Sequence, residues 1–239
     1  MFKYKQKLLT KTEYVEALAL YYYCAINNID FKSAINNRKV EDLNNFPDFI
    51  VDGKYLEVAR ASSKRSGKQQ TDITSVFDRK NEIENIDEVN EELSQYKGDD
   101  AHDIVFYKNE EVIYAITDVE EPKLVIEDIK KVILSKYNKY KNKEISKDID
   151  LFIICYRFLD NRSLKELLNW YSETKDINNY FKNIYVKLLY FEEETFTYIL
   201  KMNKFNSSLI GQYIHVDKNE LADTIFNLGW LNRKDYIKK

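Results

Sequence analysis

The sequence predicts an α/β (α+β) fold, a mixed β-sheet flanked by helices. Three observations predict it. A long uncharged helical run lies near the amino terminus. An Asp-Gly turn sits between two apolar, β-rich runs. An amphipathic helix is followed at once by a continuous apolar strand, Asp150-Leu-Phe-Ile-Ile-Cys-Tyr-Arg157. With only 5 Gly and 2 Pro in 239 residues, a sandwich of many short strands and tight turns is excluded.

The elements follow in chain order. Thr10 or Thr12 caps a helix through Val15, Leu18, Ala19, Tyr22 and Ile26 to about Asn27. Glu13 and Glu16 occupy its first turns, and no charge follows from Ala17 to Ile26, so it enters a core with its acidic end at the edge. A hairpin spans 48–61, turning at Asp52-Gly53. A basic loop runs from Arg60 to Gln70 without an acid. A polar, acidic surface helix is expected at 79–97 and a second hairpin at 103–117.

Over 124–142, Ile126, Ile129, Ile133, Tyr137 and Tyr140 recur at helical spacing. The other faces of that helix carry Lys130, Lys131, Lys136, Lys139 and Lys141, a pattern that usually marks a solvated face. The strand at 150–157, a helix at 163–174, strands at 184–191 and 195–201, and a short helix at 219–228 complete the chain. The division expected is a core over residues 1–157 and an extension over 158–239 packed on the same domain, the latter a candidate surface for a protein partner.

Composition narrows the function. The 37 basic and 40 acidic residues give a net charge of −3, so nucleic acid must be met by a local patch. No Gly-rich nucleotide loop is present. His102 and His215 lack neighbours at zinc-ligand spacing. Cys24 and Cys155 lie in apolar runs and are expected to be buried free thiols of a reducing compartment. No leader pattern and no membrane-length apolar run are found, which predicts a soluble cytoplasmic protein with no membrane partner.

The 48–61 hairpin carries the chemistry. If Asp52 and Gly53 form the turn, Val51 pairs with Lys54, Ile50 with Tyr55 and Phe49 with Leu56. Asp48 then falls opposite Glu57, with Cβ atoms about 4.5–5.5 Å apart on one face. Two carboxylates so placed repel, and a hard divalent cation between them removes the repulsion. Turn-flanking acids on a wet strand end are the plainer alternative.

An acid-bearing helix, then Pro47-Asp48, then Glu57-Val58-Ala59 on the next strand, then a helix and another strand, resembles the PD-(D/E)xK nuclease superfamily over roughly residues 10–157. The resemblance implies a restriction-endonuclease-like sheet and Mg²⁺-dependent hydrolysis of phosphodiesters, most readily in DNA, with Mn²⁺ able to substitute. It implies that Asp48 and Glu57 hold the metal, helped by Glu13 or Glu16. A restriction or defence role and a homodimer are contexts it suggests. Glu57-Val58-Ala59-Arg60-Ala61 is also similar to a group of uncharacterised bacterial and phage proteins with Glu-Val-x-Arg-Ala after an Asp hairpin.

The chain departs from that pattern at Ala59, where the superfamily has its Lys. Two readings follow. In one, another cation stands in: Lys64 or Lys68 from the basic loop, or Lys136 from the amphipathic helix. Arg60 and Lys54 lie on the other strand face. In the second, the site is silent and the protein binds nucleic acid or a protein partner as an inhibitor or regulator. Arg60, Lys64, Arg65 and Lys68 are the candidate contacts to a phosphate backbone.

Overall fold

The computed structural model describes residues 3–37, 47–61, 105–109, 112–116, 122–143, 148–155, 159, 161–188 and 196–237. The expected acidic helix at 79–97 and the basic loop beyond Ala61 lie outside them.

The fold is mixed α/β, as expected. Six strands form one sheet in the order β1 (Phe49–Val51), β2 (Lys54–Arg60), β5 (Ile149–Ile154), β6 (Asn183–Leu188), β7 (Phe196–Met202) and β8 (Ser207–Tyr213). β2, β5 and β6 run parallel, and the flanking pairs are antiparallel. A separate antiparallel hairpin joins β3 (Val105–Asn109) to β4 (Val112–Ile116).

The chain divides into two compact units. One holds 16–62 and 120–216 and contains the six-stranded sheet. Parallel pairing of β2 with β5 requires a crossover, which α3 (Pro122–Tyr140) supplies. Its stripe of Ile126, Ile129 and Ile133 is wholly buried and packs with Leu151, Ile153, Ile184 and Val186. The same apolar cluster takes in Leu167 of α4 (Asn161–Glu173) and Ile177 of α5 (Lys175–Tyr180). Burying those side chains contributes about 1.5–3 kcal/mol each.

On the opposite face, α1 (Thr12–Asn27) places Tyr23 edge-on to Tyr185, centroids 5.5 Å apart, and Tyr185 stacks on Phe152. Cover on both faces explains why β5 is buried at every position and reads as one apolar run. α1 stops at Asn28, whose left-handed φ of 55° lets Ile29 N donate to Cys24 O. Cys24 and Cys155 are buried free thiols, and burial pushes the Cys24 thiol up to about 12.

The other unit holds 1–15, 63–119 and 217–239. A 3₁₀ turn covers Gln6–Thr10, and Tyr4 bridges Ile237. The Tyr4 ring meets Phe226 of α6 (Lys218–Asn227) edge-on at 4.9 Å, and its hydroxyl donates to Asp223. Asp217 caps α6 by accepting from the Asn219 and Glu220 amides.

Three elements differ from expectation. β8 and the short helices α2 (Phe31–Ile35) and α5 were not indicated by pattern. β8 is exposed at six of its seven positions, so it carries no alternation between a buried and a wet face. α2 and α5 are too short to show a helical period. Among the described residues no helix is long and apolar enough to cross a membrane.

Candidate active site

Turn chemistry sets the site. Asp52 and Gly53 both take left-handed φ, 48° and 74°, the two-residue hairpin pattern that matches strand twist. The register follows: Val51 with Lys54, Ile50 with Tyr55, Phe49 with Leu56. One step further out stand Asp48 and Glu57. Asp48 lies just ahead of β1, half-buried, and its Oδ2 accepts from the Val58 amide at 2.7 Å. That bond fixes the Asp48 carboxylate beside β2.

Glu57 is 2% exposed, in the middle of β2. Its Oε1 accepts from Lys136 Nζ at 2.5 Å and from Tyr140 Oη at 3.0 Å. Lys136 and Tyr140 are four residues apart and share one face of α3, so a single helix presents both donors. Both act on the same oxygen. Glu57 Oε2 is buried and has no hydrogen-bond partner among the described residues.

The electrostatics point the same way. Burial pushes the Asp48 carboxyl up to about 7, and the charges of Glu57 and Glu16 add to the rise. The Val58 amide and the Lys136 ammonium pull down without cancelling it. Burial and Glu57 also drive Tyr140 well above the usual tyrosine range. Tyr180, whose ring meets Tyr137 at 5.4 Å, is pushed up to about 12 by burial, with Glu57 and Tyr137 adding. Among the described residues one lysine therefore faces two acids, with Glu16 adding a third negative charge.

Such a place favours a proton on Asp48 or a second cation. The residues fit a divalent ion: a buried carboxylate oxygen without a donor, next to a second carboxylate whose charge is disfavoured. Among the described residues no group of three or more His, Cys, Asp or Glu converges as a metal cage. The ligand set would be Asp48 and Glu57 with waters, which suits Mg²⁺.

The other expected site residues fall as follows. Glu16 acts electrostatically on Asp48. Glu13 belongs to the other unit, where its charge pushes Tyr236 up, after burial. Lys64, Arg65 and Lys68 lie outside the described residues. Arg60 is half-buried at the end of β2. Ala59, two residues past Glu57, packs against the apolar cluster. The cation thus enters over Glu57, from α3. Sequence reasoning missed Tyr140 as a donor, Tyr180 as a neighbour of Glu57 and the Val58 amide. The 136/140 spacing was the available signal for Tyr140, hidden because that tyrosine also fits the apolar stripe.

No protein-family model, curated protein or solved structure matches the chain.

Proposed function

We propose that the chain is a Mg²⁺-dependent endonuclease that hydrolyses phosphodiester bonds, in DNA foremost, on a PD-(D/E)xK-like fold. The observation that carries this reading is Lys136 Nζ seated on Glu57 Oε1 beside Asp48. Two opposed acids and a lysine are the groups such hydrolysis uses, and the lysine arrives from a helix in place of the strand position held by Ala59. A cytoplasmic restriction or defence role fits the same reading.

Asp48 and Glu57 would hold the metal. A bound Mg²⁺ would lower the pKa of a coordinated water and offset charge on the scissile phosphate. The chain's own groups do the rest. The Val58 amide holds Asp48 in place, and Tyr140 with Lys136 holds Glu57 by Oε1, which would leave Oε2 for the ion. The Lys136 side chain is 23% exposed, and its ammonium would meet a phosphate oxygen while restraining Glu57.

The test is nicking of supercoiled DNA with Mg²⁺ or Mn²⁺ by the native chain and by Asp48→Ala, Glu57→Ala and Lys136→Ala. Metal-dependent nicking lost in all three supports the reading. No cleavage of DNA or RNA by the native chain, with no metal-induced rise in melting temperature, moves it to a silent nuclease-fold protein that binds nucleic acid or a partner.

A further inference from the structure

We infer that Lys139, Lys141 and Lys143, at and just beyond the end of α3, form a phosphate track that leads nucleic acid to Glu57 and Lys136. The inference deepens the nuclease reading and rests on it. All three lysines are exposed. Lys139 Nζ and Lys143 Nζ stand 4.9 and 5.1 Å from the centroid of the Tyr140 ring. That ring's hydroxyl is the one bonded to Glu57. Lys141 Nζ stands 5.6 Å from the centroid of Tyr137, whose ring meets Tyr180. Three ammonium groups thus sit on two tyrosines of α3, one of which shares Glu57 Oε1 with Lys136. Among the described residues none of Lys139, Lys141 and Lys143 has an ion-pair partner.

A helix carboxyl terminus favours cations through its dipole. The dipole does not explain why two of them sit on the ring of the tyrosine that restrains the site carboxylate. Like charges held together raise the local potential, and a polyanion relieves it by releasing its counterions. A line of lysines ending at a two-carboxylate site suits a phosphodiester backbone, with one phosphate passing to Lys136 and its neighbours held by the other three.

The test is fluorescence polarisation with labelled duplex and single-stranded DNA in EDTA, so that binding is read without cleavage. The native chain is compared with a Lys139→Gln, Lys141→Gln, Lys143→Gln triple variant and with Lys141→Gln alone. The expected result is about tenfold weaker binding by the triple variant at low salt and a salt slope reduced by about 2–3, against about 1 for the single variant. Equal affinity and equal slope in native and triple chains overturn the track and leave the nuclease standing. The expected losses without any cleavage under Mg²⁺ or Mn²⁺ keep the track and remove the nuclease. Native binding to phosphatidylserine vesicles but to neither DNA, lost in the triple variant, assigns the patch to a membrane surface and overturns the inference.

Discussion

Two buried carboxylates stand one register step apart on neighbouring strands and face opposite ways. Glu57 pairs with Leu151, and Leu56 pairs with Asp150. Asp150 is wholly buried, and each of its oxygens has a donor: Tyr23 Oη to Oδ2 at 2.7 Å and Asn183 Nδ2 to Oδ1 at 2.8 Å. Neutral groups do all of this, and burial, reinforced by the Asp150 charge, drives Tyr23 far above its ordinary pKa. Among the described residues Glu57 has both of its donors on Oε1, one of them a cation, and nothing on Oε2. The Asp150 side is closed and joins α1 to the sheet. The Glu57 side is left open at one atom, next to a second acid. A satisfied buried polar network fixes structure; an incompletely satisfied one invites a ligand.

The largest expected effect separates the two sides by activity. Glu57→Ala or Asp48→Ala should lower metal-dependent cleavage by about 10³-fold or more, while Asp150→Asn, measured below its melting temperature, should keep activity within about tenfold. Lys136→Met should cost about 10²–10³ in kcat. A rate loss in Asp150→Asn as deep as in Glu57→Ala would erase the functional difference between the sides.

Stability should reverse that order. Asp150→Ala strands the Tyr23 and Asn183 donors in the core and should cost about 2–4 kcal/mol, read by denaturant unfolding. Asp48→Asn removes a charge the site disfavours and should raise the metal-free melting temperature at pH 8. Mg²⁺ should raise the melting temperature of the native chain and of Asp150→Asn, and not that of Glu57→Gln.

How much of this could be read from the chain depends on the distance over which each feature is decided. The Asp52-Gly53 turn is decided by two residues, so the hairpin and its register, from Val51 with Lys54 to Phe49 with Leu56, were legible. Lys136 was legible as one of several cations because helical periodicity gives its face but not what that face meets. The closure of Asp150 was not legible. It needs Tyr23, 127 positions away, and Asn183, 33 away, brought together by parallel pairing that no local pattern encodes. β8 escaped because an exposed edge strand leaves no alternation to read.

The next effect is a pH dependence on the Glu57 side. In the unfolded chain Asp48 loses its proton near 3.8, and in the folded chain near 7. Between those values the folded state holds a proton that the unfolded state has released, so the contribution of Asp48 to metal-free stability is full below about pH 4 and is lost as pH rises through 7. Metal binds the ionised carboxylate, so Mg²⁺ affinity should rise up to about tenfold per pH unit below 7 and level off above it. Thermal melts across pH 5–9 in EDTA and in Mg²⁺ check both trends, and Asp48→Asn should flatten them. A native metal-free melting curve that climbs across this range would contradict the assignment.

The smallest effect compares two hydroxyls. Tyr140→Phe removes one donor from Glu57 Oε1 but leaves Lys136 on the same atom, so the loss should be about 1 kcal/mol and kcat should change by less than about tenfold. Tyr23→Phe strips Asp150 Oδ2 of the donor it has and leaves no cation to take over, so about 2–3 kcal/mol should go. Both changes delete a single oxygen from a buried ring, which keeps packing constant within the pair. If the two variants unfold at the same denaturant concentration, the cation on Glu57 adds nothing to its restraint. The contrast between a closed carboxylate and an open one would then rest on Oε2 alone.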